Sequence, residues 1–566
     1  MSSFRKSNSL PKSYLKLTAA IPAAFAGLGL AIAFAADVPI HAPPVQGVNW
    51  DGIYVGLNRG IAEGHASWSN PTGFFALFPD VPGRGAHEGL FGGVQLGYNR
   101  QLGAIVFGVE GDASFGSLDS NTVCGAIVGF GGSGDPCHAR TNVMASVTGR
   151  LGYAVGRALV YGKGGGAFAD EHYDVISTLF FPVIPAIPAL GSAGRFGWTA
   201  GAGIEYALGP AFGGEWSARA EYDYYNFGTR TIGFNIPLFP GMNSFSIERD
   251  QHLAKFSLNY RLAGPDIAAP APAFAGDFTG EFGSRLGGSG GRFHKNLFDP
   301  FIPQQLNSRL TWAGQPGLML ENFARVDHVS GLFAKGYVGG IDLFTAHIND
   351  EDFPPGIFPY SNTISSTKNG RDFYDSADIG YSFLRNAGWR LDGFVGYQYY
   401  SQRMNAIGCT QIASQPFICP PGIVPAYTLI LGQSEHWNAA RVGLAADVYL
   451  PAGFKWRIEG AWLPYMAFNG MDNHWLRPDI NPLIETGHGH NGYQFESVLS
   501  YALTDRIDIG IGGRYWQFFA QHGSTQFPGF GIPQSPENFA SSRAMGFVQA
   551  SYKFGEVAAP AVVSKY

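Results

Sequence analysis

Residues 215–226, EWSARAEYDYYN, decide the fold class of this 566-residue chain. From Trp216 to Tyr224 every second side chain is apolar, and the side chains between them are polar. Successive side chains of an extended strand point to opposite faces, so this period of two predicts a β-strand with one apolar and one polar face. The same alternation recurs over 255–262 and 547–554. The sequence therefore predicts an all-β protein.

The N-terminus has the pattern of an export signal. Residues 1–16 carry four basic residues and no acidic one, and an apolar run follows over 17–34. Residues 33–35, AFA, form a small-x-small cleavage pattern, which predicts a secretory signal peptide over 1–35. An uncleaved membrane anchor is the alternative interpretation. No other stretch reaches the roughly 18 apolar residues that a membrane-spanning helix needs.

An exported chain with long, aromatic-rich alternating strands is typical of a barrel that faces lipid. In lipid every backbone polar group must be paired, and a closed barrel is the strand arrangement that achieves this. Eight strand-like segments lie over 49–262 and ten over 276–554. In both units tight turns alternate with long connections, such as those over 62–86 and 117–141. The sequence therefore predicts two tandem transmembrane antiparallel β-barrels in the outer membrane, with outer-membrane lipids as partners.

The segment between the two units separates them. Residues 263–275 are rich in Pro and Ala, which predicts a semi-stiff linker. Residues 555–566 form a C-terminal tail. A single eighteen-stranded barrel is the alternative, but the linker and the two closing strands favour two barrels.

The composition limits the possible partners and the cysteine chemistry. The 37 basic and 43 acidic residues give a net charge of −6, so no nucleic-acid partner is expected. Cys124 and Cys137 fall in one predicted long loop, and Cys409 and Cys419 fall in another. In an oxidising compartment each local pair predicts a disulfide, with four free thiols as the alternative.

The first unit resembles a known family. The stretches FGVEGDASFG (107–116), GWTAGAGIEYAL (197–208) and FSLNYRL (256–262) resemble the eight-stranded porin-family outer-membrane barrels. This resemblance covers residues 49–262 and implies fold and location rather than chemistry. The interior of an eight-stranded barrel is filled by side chains, so a wide pore is not expected.

Two acidic motifs stand on the long-loop side of the second unit. Asp350 and Asp352 follow the third predicted strand, and residues at this spacing in an extended chain point the same way. Two carboxylates so placed favour sharing a proton. Asp472 and His474 follow the seventh predicted strand, where the aspartate can orient the imidazole and stabilise its charged form. The two motifs together predict a site that activates a water for attack on a peptide carbonyl.

The second unit is similar to the omptin family, the ten-stranded outer-membrane endopeptidases. The similarity rests on GGIDLFTAHINDED (339–352), GYQYYSQRM (396–404) and the Asp-x-His motif, and it covers about 276–554. It implies that Asp350 and Asp352 are the paired aspartates, that Asp472 and His474 are the Asp-His dyad, and that the substrate is a peptide or protein. It also implies no metal and no cofactor.

Lipopolysaccharide is the activating lipid that this similarity suggests. The family grips it with a Tyr-x-Glu-x-Arg pattern on its outer wall. Here Tyr397, Tyr399 and Ser401 stand at that spacing, so the acid and the arginine are missing, with Arg403 as a replacement after a register change.

Other departures concern the substrate pocket and the direction of the dyad. The family's pocket acids fall at Gly470 and near His294, so a dibasic substrate is not expected. Strict alternation from Trp456 sends Asp472 to the outer wall, unless Pro464 or a bulge intervenes.

Three rival interpretations remain open. A zinc site is one, built from the residues His474, His488, His490, Glu485 and Asp479. A carbohydrate platform is another, although an aromatic belt at the membrane interface explains most of the six tryptophans concerned, Trp312, Trp389, Trp437, Trp456, Trp462 and Trp516. The third is a non-catalytic surface protein for envelope integrity or adhesion, in which the second barrel is a degenerate protease.

Overall fold

The computed structural model describes residues 48–555, apart from 70–82, 125–134, 178–186, 212–213, 235–242, 263–277, 416, 421–423, 478–479 and 528–532. The predicted signal peptide, the linker and nearly all of the C-terminal tail lie outside the described residues. In the part of the chain that is described, no helix is long and apolar enough to cross a bilayer.

Eight antiparallel strands close into the first barrel, because each pairs with the next and the last pairs with the first. They are β1 (Gly52–Ser69), β2 (Gly83–Leu102), β3 (Ile105–Cys124), β4 (Asp135–Val155), β5 (Ala158–Ser177), β6 (Ile187–Ala211), β7 (Gly214–Phe234) and β8 (Asn243–Leu262).

The second barrel has thirteen strands that form ten staves. They are β9 (Phe278–Phe298), β10 (Leu306–Ala313), β11 (Gly317–His328), β12 (Leu332–Leu343), β13 (His347–Asp352), β14 (Ser361–Arg385), β15 (Trp389–Gln411), β16 (Leu429–Tyr449), β17 (Phe454–His474), β18 (Leu483–Gly489), β19 (Gly492–Ala502), β20 (Ile507–Gln526) and β21 (Ser535–Phe554). Three staves are interrupted once, between β10 and β11, β12 and β13, and β18 and β19. The ring closes where β14 pairs with β15 and β21 pairs with β9. The prediction of two tandem barrels is confirmed.

Several stretches predicted as long loops are strands instead. β1 and β2 stay paired as far as Trp68 and Gly83, well inside the predicted loop over 62–86. Strands of 18 residues or more greatly exceed the roughly 9–11 that cross a bilayer. The loop prediction was wrong because backbone pairing continues above the membrane, where the apolar side chains of β1 change from the outward face to the inward one.

Lipid-facing side chains locate the membrane on the second barrel. On β17 the outward residues Phe454, Trp456, Trp462 and Tyr465 are all exposed. The strand then continues for nine residues beyond Tyr465, away from the tight turn that joins it to β16. Short turns mark the periplasmic rim of such barrels, so the far end of β17 is extracellular and lies outside the membrane-spanning segments.

The tryptophans of the second barrel divide into two sets. Trp389, Trp456 and Trp462 are exposed on the outer wall, as expected of an aromatic belt. The belt interpretation is wrong for Trp312, Trp437 and Trp516, which are fully buried in the apolar core inside the barrel. Each of these three lies at a position of its strand whose side chain points into the barrel.

The long connection between β15 and β16 is stapled by a disulfide between Cys409 and Cys419, as predicted. Cys137 is also disulfide-bonded, and its pairing with Cys124 stays a prediction. Phe417 and Tyr427 in this loop are already exposed, and replacing Cys409 and Cys419 together by Ser should speed chymotrypsin cleavage there about tenfold, because the disulfide limits local opening of the loop backbone. Cleavage kinetics on the refolded protein test this, with Ser414→Ala as the control. An unchanged rate would contradict it.

Candidate active site

A bulge on β17 turns the Asp-x-His motif toward the barrel interior. Leu463 and Pro464 together oppose the single residue Arg441 of β16. The extra residue reverses the inward and outward positions, so that Trp462 faces lipid while Asp472 faces inward and is buried. The predicted interruption at Pro464 is therefore confirmed.

Asp472 and His474 lie at the end of β17, where they are still paired with β16, rather than in a loop. Asp472 Oδ1 lies 3.5 Å from His474 Nδ1, which is longer than a formed hydrogen bond. On its other side, Asp472 Oδ2 accepts a hydrogen bond from Lys295 Nζ at 2.7 Å. The same ammonium forms a second ion pair with Glu485. Asp472 is therefore held between an imidazole and a buried lysine.

Asp350 and Asp352 lie on β13, which continues the third stave of the ring. Leu310 of β10 pairs with Asp350 on one side and with Lys295 of β9 on the other. Neighbouring strands are about 4.8 Å apart, which puts the Asp350 and Lys295 backbones about 10 Å apart at one level of the mouth. Lys295 therefore spans the mouth from the side of the paired aspartates to the side of the dyad.

The carboxyl groups interact electrostatically across this mouth. Burial raises the pKa of Asp350 well above its usual range, and Asp352 and Asp472 raise it further, while Lys295 opposes the shift. Burial also raises the pKa of Asp352, against a hydrogen bond from Ser308 and the charge of Arg477. Asp350 therefore keeps its proton to higher pH than an ordinary aspartate does.

Asp472 behaves in the opposite way. Burial alone raises the pKa of its carboxyl, but His474 and Lys295 outweigh burial, so the pKa lies below the usual value. In the described part of the chain, Oδ1 of Asp350 and Oδ1 of Asp472 are buried without a hydrogen-bond donor. The mouth thus shifts the pKa values of its acids in opposite directions, down for Asp472 beside the histidine and up for Asp350 facing it.

Comparisons with known proteins identify the family. The family model described as an outer membrane protein beta-barrel domain matches residues 23–261. The 31 kDa outer-membrane immunogenic proteins of Brucella melitensis biotype 1 and Brucella suis biovar 1 are each 33% identical over 258 residues, which are 43% of this chain and 98% of either relative. The chain belongs to the outer-membrane β-barrel protein family. It is located in the outer membrane, as predicted.

Among solved structures, the outer membrane protease OmpT from Escherichia coli has a TM-score of 0.41 at 12% identity, over 49% of this chain and 97% of that chain. Similarity at this level carries no argument about the activity of this outer-membrane β-barrel protein.

Lys295 and Glu537 escaped the sequence prediction, and Glu485 was considered there only as a zinc ligand. Lys295, Glu485 and Glu537 face inward around Asp472, whereas His294, the position compared with a pocket acid, faces the opposite side of β9. The prediction for His294 was therefore wrong by one residue. Phe293 and Lys295 are both buried, so these two positions of β9 face inward.

The acid that is missing at Gly470 is supplied by the neighbouring strand. Glu485 of β18 pairs directly with Gly470. A Cβ atom placed on Gly470 would lie 2.5 Å from the Glu485 carboxylate. The Glu485 side chain thus occupies the space that a side chain at position 470 needs, and Lys295 neutralises it.

The zinc interpretation was wrong. His488 and His490 are exposed on the outer wall, whereas Glu485 of the same segment faces inward. Asp479 lies outside the described residues. Among the residues that the structure does describe, no group of three or more His, Cys, Asp or Glu side chains is arranged to hold a metal ion.

Proposed function

We propose that the second barrel of this outer-membrane β-barrel protein is an endopeptidase that cleaves peptides at the cell surface. The observation that carries the proposal is the meeting of the two motifs in one mouth, where Asp472 Oδ1 lies 3.5 Å from His474 Nδ1 and Asp350 lies on the facing side. The surroundings lower the pKa of Asp472 and raise the pKa of Asp350, so the two acids are shifted in opposite directions. General acid–base chemistry needs such a separation of roles between two groups.

In the proposed reaction a water molecule lies between the two motifs. His474 takes a proton from this water as its oxygen attacks the peptide carbonyl carbon, and Asp472 stabilises the imidazolium that forms. The proton on the Asp350 and Asp352 pair stabilises the developing negative charge on the carbonyl oxygen. When the C–N bond breaks, the leaving nitrogen receives a proton from the imidazolium. No covalent acyl-enzyme forms.

Lys295 is a positioning residue in this proposal. Its ammonium forms ion pairs with both Asp472 and Glu485, so it compensates part of the acid charge in the mouth. Position 470 carries no acid of its own, and the Glu485 carboxylate that fills its space is already paired with Lys295. The proposed substrate is therefore a peptide or protein without a required dibasic sequence.

The test uses the full mature chain, refolded in detergent with and without lipopolysaccharide and incubated with a mixed peptide library. Cleavage sites are read by mass spectrometry. Cleavage by the wild type that is lost in His474→Ala supports the proposal. If correctly folded wild type cleaves no peptide, the proposal is contradicted. Folding is checked by heat-modifiable mobility in an SDS gel.

The pH profile gives a prediction that depends on Lys295. Its charge lowers the pKa of both Asp350 and Asp472. In Lys295→Met both pKa values rise, so Asp350 keeps its proton to higher pH and Asp472 becomes ionised only at higher pH. Both limbs of the kcat/KM profile are therefore expected to move toward alkaline pH.

Profiles of wild type, Lys295→Met and Lys295→Arg on one cleaved peptide test this shift. Lys295→Arg keeps the charge and should restore the wild-type limbs. Lys553→Met, which removes a lysine at the opposite rim, is the matched control. A profile that moves toward acid pH in Lys295→Met would contradict the assigned role.

A non-catalytic surface protein is the second candidate function. The observation that favours it is the ion pair between Lys295 and Asp472, because the lysine competes with His474 for the carboxylate. In that case the mouth is an ionic cluster that stabilises the barrel. The wild type, His474→Ala and Asp350→Asn then all leave every peptide uncleaved. The cleavage test described above separates the two candidates.

A further inference from the structure

The two barrels contact each other along their outer walls. Near the periplasmic rim, the Tyr552 hydroxyl donates a hydrogen bond to the Leu208 carbonyl at 3.1 Å. Further up the walls, the barrels enclose a cavity of about 520 Å³ between the strands β1 to β3 of the first barrel and β12 to β14 of the second. We call this cavity the seam cavity.

The seam cavity carries more positive than negative charge. Arg59 of the first barrel and Lys368 and Arg371 of the second line it, together with one acid, Asp342. Arg371 Nε lies 3.2 Å from Asp342 Oδ1, so this acid already has one cation. Arg59 Nε is buried, and nothing in the described part of the chain accepts a hydrogen bond from it. The cavity therefore has an excess of donors that suit an anion.

The remaining lining is apolar. The exposed side chains of Phe115 of the first barrel and Phe344 of the second contribute to it, whereas the Phe91 and Leu343 side chains pack inside their own barrels. A free inorganic anion gains nothing from such exposed aromatic side chains, whereas an acyl chain buries apolar surface against them. The lining therefore combines cationic and apolar side chains.

The height of the cavity matches the headgroup layer of the outer leaflet. On β1 the exposed lipid-facing side chains Ile53, Val55 and Leu57 end just before Arg59. On β12 Asp342 lies at the end away from Leu332, an exposed residue beside the periplasmic turn. The cations therefore stand at the upper edge of the apolar band, where lipid phosphates lie.

From this charge, lining and height we infer that the seam cavity binds the phosphate of an outer-leaflet lipid, with an acyl chain against its aromatic side chains. The Arg59 guanidinium supplies a planar fork that matches phosphate oxygens, and Lys368 adds a second cation. The bound lipid contacts both barrels, so it stabilises their association in the membrane. This inference does not depend on the proposed peptidase.

The test compares lipid retention by native mass spectrometry of the full chain, incubated in turn with bisphosphorylated lipid A, dephosphorylated lipid A and inorganic phosphate. Wild type should retain the bisphosphorylated lipid. Arg59→Gln combined with Lys368→Gln should lower its retention about tenfold, since two charge-assisted contacts are lost. Arg100→Gln combined with Arg230→Gln, which removes two cations outside the cavity, should retain the lipid as wild type does.

Three results would overturn the inference. They are equal retention by the cavity variant and the control, equal retention of the dephosphorylated lipid, and displacement of the lipid by excess inorganic phosphate, which would indicate a simple anion site. If the double variant does not fold, Arg59→Lys replaces it, because this change keeps the charge but removes the fork. Its retention should fall about threefold, and unchanged retention would contradict the role of the guanidinium.

Discussion

Replacing Asp472 by Asn is expected to lower kcat/KM for a cleaved peptide about a thousand- to ten-thousandfold. The amide has nearly the shape of the carboxylate but lacks the charge that stabilises a protonated His474. It also leaves Lys295 with Glu485 as its remaining carboxylate partner of the two that it contacts directly. The measurement is a progress curve on the best peptide from the library, with protein amounts corrected for the folded fraction.

Two further variants distinguish a catalytic dyad from a general disturbance. His474→Ala should cost about as much as Asp472→Asn, and the double variant should cost little more, because residues that act as a unit are not additive. Asp505→Asn, in an exposed turn at the opposite rim, is the matched control and should leave kcat/KM unchanged. Retention of more than about a tenth of the activity by Asp472→Asn would refute the assigned role.

The fold was accessible from the sequence because its signal is local. Alternation such as that of residues 216–224 requires only neighbouring side chains, and the barrel follows from pairing every such strand in lipid. Pro464 was accessible for the same reason, since proline cannot donate to a ladder and marks a bulge. Both features appear in the structure where the sequence puts them.

The full set of residues in the mouth could not be predicted from local sequence pattern. Lys295 and Asp472 meet across the ring, from strands that are separated by β21, β20 and β18. The stretch of β9 before Lys295 contains glycines at positions 287, 288, 290 and 291, which give no alternation from which to assign faces. The register of β9 against its neighbours, and so the inward position of Lys295, required the paired structure.

The parts of the hairpins that lie above the membrane show a different limit of prediction from sequence. Above the membrane the apolar side chains change face: on β1 the buried inward residues are Ala62, Ala66 and Trp68, whereas Ile53, Val55 and Leu57 face outward lower down. Glu63 and Glu88 pair across β1 and β2 in this region. The inward residues of β1 here are mostly small, so the alternation is weak and sequence pattern alone does not separate such a strand from a loop.

Replacing Arg219 by Met is expected to lower the free energy of unfolding of the first barrel by about 3–5 kcal/mol. The Arg219 side chain is fully buried in the lumen. Its Nη1 donates to Glu110 at 2.5 Å and its Nη2 donates to Glu205 at 3.1 Å. Methionine fills much of the volume but leaves two buried carboxylates short of a positive charge, and the cost of an uncompensated buried charge exceeds the value of the pair itself.

Urea unfolding in phospholipid vesicles, followed by heat-modifiable gel mobility and tryptophan fluorescence, measures this loss. Arg100→Met, at an exposed arginine of the same barrel, should change the free energy by less than about 0.5 kcal/mol. Combining Arg219→Met with Glu110→Gln removes one of the uncompensated charges and should recover part of the loss, as coupled residues do. Arg150 still contacts Glu205 at 3.1 Å in that double variant, so the remaining network holds one pair. If Arg219→Met costs less than about 1 kcal/mol, water must enter the lumen and solvate the carboxylates, and the prediction of an interior filled by side chains would be contradicted.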